Sequence, residues 1–167
     1  MANPSYTDPE MQEIFEGFLI ETNELLESLS QDLIEIESNT EDMDLINRIF
    51  RSFHTIKGTS AFMGFSVIAD ITHHAEDILN KLRRSELKIS QEILDVLFEV
   101  HDWITLLIGK IKDGEETNVD YSKTIEQIEK LKSKDYVPSH ENDSSEETES
   151  TPLPGGVSYV DAVLQNS

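Results

Sequence analysis

Apolar residues recur at three- and four-residue steps through residues 1–132, and nowhere there in the strict alternation of a half-buried strand. From Pro9 to about Ile36, the residues Met11, Ile14, Phe15, Phe18, Leu25, Leu26, Leu29, Leu33 and Ile36 form one stripe with acids between them. That predicts a long amphipathic helix with Asp8 as N-cap and Pro9 at its first position. A polar break at Ser38, Asn39 and Thr40 precedes a second run, Leu45, Ile46, Ile49, Phe50, Phe53, Ile56 and Ala61, expected to end at Gly64. A third helix starts near Ser66, carries Ile68, Ile71, Ala75, Ile78, Leu79 and Leu82, and closes on Arg83 and Arg84, whose charge suits a carboxyl end.

The fourth helix starts near Ser90 and carries Leu94, Leu97, Phe98, His101, Ile104, Ile108 and Ile111 to a stop at Asp113 and Gly114. Asp120 can then cap a shorter fifth helix with Tyr121, Ile125, Ile128 and Leu131 on its apolar side. The intervening breaks are short enough to make consecutive helices antiparallel neighbours. The expected fold class is therefore all-α: an antiparallel four-helix bundle with an additional fifth helix, filling residues 1–132. Segment 133–156, SKDYVPSHENDSSEETESTPLPGG, is acidic and proline-bearing and is expected to be a disordered linker. Segment 157–167 regains a few apolar residues but is too short for a core, and is expected to be the truncated start of a following region.

Composition narrows the functions. The 34 acidic against 13 basic residues set a formal charge of −21, which repels nucleic-acid backbones and anionic membrane surfaces. Absence of cysteine excludes disulfides, thiolate metal sites and cysteine nucleophiles, and suits a reducing compartment, so a cytoplasmic location is expected. The amino terminus, MANPSYTDPEMQEIF, lacks a basic leader with an apolar core, and no apolar run approaches the ~18 residues of a membrane span. Membrane insertion is not expected, and the isolated domain is expected to be monomeric.

The candidate chemistry centres on His54. At ~100° per residue it projects roughly 110° from the centre of its helix's apolar stripe, a border position. Arg51 and Lys57 lie one turn to either side, and Gly58 at i+4 removes the side chain that would cover the imidazole. A glycine inside a helix costs about 1 kcal/mol relative to alanine, so its place here suggests close approach of another group. On the third helix, His73 and Glu76 lie on the polar side with Asp77 adjacent, where a carboxylate can reach His54. If Glu76 accepts from one ring nitrogen, the other is left unprotonated and basic, and Lys57 would neutralise incoming phosphoryl oxygens. No GxxxxGK[ST] or glycine-rich lid is present, so the chain holds no nucleotide site of its own.

The run FRSFHTIKGTSAFMGFSVIADITHHAEDILNKLR, residues 50–83, contains HxxKG at His54, Lys57 and Gly58, FxGF at Phe62, Gly64 and Phe65, and HxxED at His73, Glu76 and Asp77. It resembles the amino-terminal histidine phosphotransfer (HPt) domain of CheA-like histidine kinases, over roughly residues 8–132. The resemblance implies that His54 is phosphorylated from ATP bound by a separate kinase domain and passes the phosphoryl group to an aspartate of a response-regulator receiver domain, in chemotaxis or a related pathway. It also implies supporting roles for Lys57, Gly58, His73 and Glu76, with Glu76 bonded to the His54 ring. Departures from many relatives follow the HxxKG element, where Thr59, Ser60 and Ala61 replace a glycine- or serine-rich run.

Two other readings stay open: a stand-alone phosphorelay carrier, and a structural or metal-binding bundle in which His73, Glu76 and His54 or His101 converge. The HxxE spacing of a carboxylate-bridged di-metal site must occur on two helices and occurs here once, so no metal is assigned. His101 is expected at the core edge; His74 and His140 are assigned no role.

Overall fold

The computed structural model describes residues 8–133. They form five helices: α1 Pro9–Ser38, α2 Met43–Phe62, α3 Ser66–Arg83, α4 Gln91–Lys112 and α5 Ser122–Ser133. Around the bundle, α1 packs on α2 and α4, α3 packs on α2 and α4, and α5 lies against α3 and α4. Alternating direction is visible in the end-to-end contacts. Asp32 near the end of α1 pairs at 2.9 Å with Arg48 near the start of α2, and Phe18 in the first half of α1 meets Phe65 at the head of α3. The expected all-α four-helix bundle with an added fifth helix is thus the observed architecture, and among the described residues there is no strand. The linker expected at 133–156 and the segment 157–167 lie, except for Ser133, outside the described residues.

Helix ends follow from local chemistry. Asp42 Oδ1 accepts from the Leu45 amide and Ser90 Oγ from the Ile93 amide, capping α2 and α4. Asp8 stands at the N-cap of α1 without a side-chain capping bond, so Pro9, which has no amide hydrogen, carries that start. α2, α3 and α4 close in one way: a positive-φ residue (Gly64, Ser85, Gly114) donates back into the last turn, and the following amide reaches Ser60, Lys81 or Lys110. The second helix therefore ends at Phe62, with Gly64 supplying the left-handed turn two residues on. Ahead of α5, Asp120 accepts from the Ser122 hydroxyl and amide, which hold its carboxyl below the usual range.

The core collects Leu29, Leu33, Ile36, Leu45, Ile49, Phe53, Ile56, Ile68, Ile71, Ile78, Leu79 and Leu97, all fully buried. The predicted stripes supply most of it, with corrections at their margins. Ile14 and Ala61 are exposed and Phe50 is half-buried, while α4 buries Val96, Val100 and Leu107 beyond its predicted stripe. On α5 Thr124 joins Ile128 and Leu131 inside, and Tyr121 and Ile125 sit at the edge. Thr124 is tolerated because Trp103 Nε1 donates to its hydroxyl, which in turn donates to Glu99. Among the described residues no helix is long and apolar enough to cross a membrane.

Candidate functional site

The α2–α3 seam brings three of the predicted residues together. His54 Nδ1 lies 2.6 Å from Glu76 Oε2, and Lys57 Nζ donates to Glu76 Oε1 at 2.8 Å. Residues 54 and 57 present to the same neighbour because they are three apart on α2, and Glu76 faces them because α3 runs alongside. Each Glu76 oxygen thus lies within hydrogen-bond distance of a different nitrogen of α2. With Glu76 ionised, Nδ1 donates, which assigns the ring proton to Nδ1 and leaves the lone pair on Nε2.

Burial differs from the sequence-based expectation in two places. The His54 side chain is 61% exposed, well outside a border position, whereas the Glu76 side chain is 6% exposed. Glu76 was expected on the polar side of α3, and it does belong to the helix's polar sequence. α2 crosses over it, and hydrogen bonds from His54 and Lys57 replace the water it loses. Asp77 is buried as well, with its carboxylate 3.3 Å from Lys132 of α5.

The remaining predicted residues take supporting places. Gly58 is exposed, and a Cβ built on it meets nothing within 4 Å, so no group of the described chain uses the clearance and the gap opens outward, next to His54. His73 lies beside Asp77, with Nε2 at 4.0 Å from Oδ1. Burial, then nearby Lys57 and His74, push its pKa below the ordinary histidine value against the pull of Asp77 and Glu76. Lys57, expected to face incoming phosphoryl oxygens, is committed to Glu76 in this unmodified state. Arg51 is exposed at the surface and is not part of the cluster.

The other two described histidines bond backbone carbonyls: His101 Nε2 donates to the Leu26 carbonyl at 2.8 Å, the expected core-edge role, and His74 Nδ1 donates to the Asp70 carbonyl. His140 lies outside the described residues. Among the described residues no three His, Cys, Asp or Glu side chains gather into a metal-holding group. Sequence reasoning missed Phe50 and Arg83: the Phe50 ring stacks on His54, and the Arg83 guanidinium sits over Phe50. Their only sequence signal is the i−4 placement of an aromatic before the histidine.

The arrangement is that of an accessible imidazole with one nitrogen tied down and the other open to a partner. A family model described as the Hpt domain matches residues 13–110. The sensor histidine kinase CheAY of Helicobacter pylori is 46% identical over 122 residues, covering 72% of this chain and 15% of that protein. The chain thus spans less than a fifth of that relative. The solved structure of the CheA phosphotransferase domain from Thermotoga maritima is 46% identical with a TM-score of 0.58, covering 59% of this chain and 94% of that one. The phosphorylated P1 domain of CheA3 in complex with CheY6 from R. sphaeroides shares the fold, with a TM-score of 0.67 at 19% identity, covering 73% of this chain and 97% of that one.

Proposed function

The chain belongs to the Hpt domain family, and on that premise we propose that it is the phosphoryl-carrying domain of a CheA-like histidine kinase acting in chemotaxis or a related pathway. His54 is the carrier. Its Nε2 lone pair attacks the γ-phosphorus of ATP held by a separate kinase domain; the N–P bond forms as the bond to the ADP oxygen breaks. A carboxylate oxygen of a receiver-domain aspartate then attacks the same phosphorus, and the N–P electron pair returns to Nε2. ATP belongs to the kinase domain, and no cofactor is assigned to this chain.

The observation that carries this reading is the 2.6 Å contact of Nδ1 with a buried carboxylate on an otherwise exposed ring. Nδ1 keeps its proton throughout, so the phosphorylated ring is a cation facing Glu76, which stabilises it and keeps it a competent leaving group. Lys57 holds the second Glu76 oxygen, and its remaining ammonium hydrogens are available to the phosphoryl oxygens. Gly58 leaves the approach path open beside the ring. His73 supports the cluster from the next turn of α3. The absence of cysteine supports a cytoplasmic setting.

Incubation with the ATP-binding core of a CheA-like kinase and γ-labelled ATP is expected to give an acid-labile, alkali-stable label on the wild-type chain and none on His54→Gln. Label persisting on His54→Gln would place the acceptor elsewhere.

A further inference from the structure

We propose that Phe50 is a positioning residue for phosphoryl transfer at His54, held in place by Arg83; this rests on the reading that His54 is the acceptor. The bond to Glu76 fixes a single atom of a largely exposed imidazole. A ring held at Nδ1 alone can still tilt about that contact, and the tilt moves Nε2, across the ring, through the widest arc. In-line attack on phosphorus tolerates little of this, since about 1 Å of misplacement can cost on the order of a hundredfold in rate.

The second restraint is the face of Phe50. One turn before His54 on α2, its ring lies near-parallel to the imidazole, with centroids 5.7 Å apart and planes at 16°. Contact at the ring face restricts the tilt that the hydrogen bond leaves free. Phe50 is only half-buried, so core packing does not by itself determine its rotamer. The Arg83 guanidinium carbon lies 4.2 Å from the centroid of Phe50. Arg83 is itself tethered: Nε donates to Asn47 Oδ1 at 2.9 Å and one terminal nitrogen to Asn80 Oδ1 at 3.1 Å. In a chain with 34 acids, this cation is bound by two neutral amides and lies over an aromatic face. A brace therefore runs from the end of α3, through Arg83 and Phe50, to the reactive ring.

The alternative is that Phe50 only fills the α2–α3 seam, a task leucine would share, or that it docks the partner. Steady-state phosphorylation by the kinase core, with this full chain as the varied substrate, separates the three. Phe50→Leu is expected to lower kcat about tenfold with KM unchanged, Phe50→Tyr to restore kcat to within about twofold, and Arg83→Met to lower it about twofold to threefold. In parallel, nitrogen-15 spectra of Phe50→Leu are expected to keep the His54 proton on Nδ1, because the contact with Glu76 is untouched; a mixture of tautomers there would overturn the proposal. Wild-type kcat in Phe50→Leu, a lowered kcat that Phe50→Tyr does not restore, or a change confined to KM would each overturn the proposal. Should Phe50→Leu fail to fold, Arg83→Met with unaltered kcat would overturn it alone. Label retained by His54→Gln would instead remove the underlying reading.

Discussion

Helix α3 serves two neighbours with the same residue types, and the two sides differ in what they leave open. Toward α2, Glu76 holds His54 by one nitrogen and Lys57 by its ammonium, and the other imidazole nitrogen faces solvent. Toward α5, His74 donates from Nδ1 to the Asp70 carbonyl, its Nε2 lies 3.9 Å from Glu129, Tyr121 donates to Asp70, and Lys132 reaches Asp77 and Glu129. Burial and then the Asp70 bond push the Tyr121 hydroxyl up to about 12, so it stays a donor at any physiological pH. On the α5 side histidine and carboxylate are spent on holding a helix; on the α2 side the same pair leaves a lone pair exposed. The proposed reactivity rests on incomplete satisfaction of one ring, and the helix contact on the bonds made by the other.

The comparison breaks most sharply at Glu76. In Glu76→Gln the amide has a single acceptor oxygen, and Lys57, which can only donate, claims it. The amide NH2 then faces Nδ1, which must become an acceptor, and the ring proton moves to Nε2. Phosphorylation is expected to fall about a hundredfold in Glu76→Gln and only about tenfold in Glu76→Ala, where the ring selects its tautomer freely. The reverse ranking in a phosphotransfer assay would show that charge, and not the tautomer, is what Glu76 supplies.

The α5 side is tested by stability. Lys132→Met removes one partner of a buried carboxylate and is expected to lower unfolding stability by about 1–3 kcal/mol while phosphorylation of His54 stays within about twofold of wild type. Denaturant unfolding alongside the kinase assay checks both halves; a large loss of transfer rate would join the two sides that the structure keeps apart.

The smallest effect concerns pH. Burial holds the His73 pKa below 6.5 in the folded chain, so between that lowered value and 6.5 the unfolded state binds more protons. Stability therefore rises with pH across this window and is lost as pH falls through it. His73→Gln is expected to flatten that part of the stability profile; an unchanged slope would assign it to other groups.

Much of this was legible in the sequence, and the missing part has a common cause. Helical periodicity located five elements, and the spacing of His54, Lys57 and Gly58 selected the reactive face, because those relations lie within one helix. Which carboxylate meets His54 depends on α3 lying across α2, a separation of 22 residues that periodicity does not carry; the motif resemblance supplied Glu76. Glu76 reads as a residue of the polar side of α3 but not as a buried one, because hydropathy records side-chain polarity and not the helix laid over it. The Phe50 and Arg83 brace spans both helices and was invisible for the same reason. Ile14 and Ala61 read as core because a stripe's width is set by its neighbours and not by its own period.

The central claim is that His54 presents an unprotonated Nε2 outward while Glu76 keeps the proton on Nδ1. Long-range proton–nitrogen correlation spectra of the nitrogen-15-labelled chain at neutral pH, before and after phosphorylation, test it directly. The account predicts a protonated Nδ1 and a bare Nε2 in the free domain, with phosphorus coupling appearing at Nε2. A bare Nδ1, or phosphorus coupling at Nδ1, would contradict it.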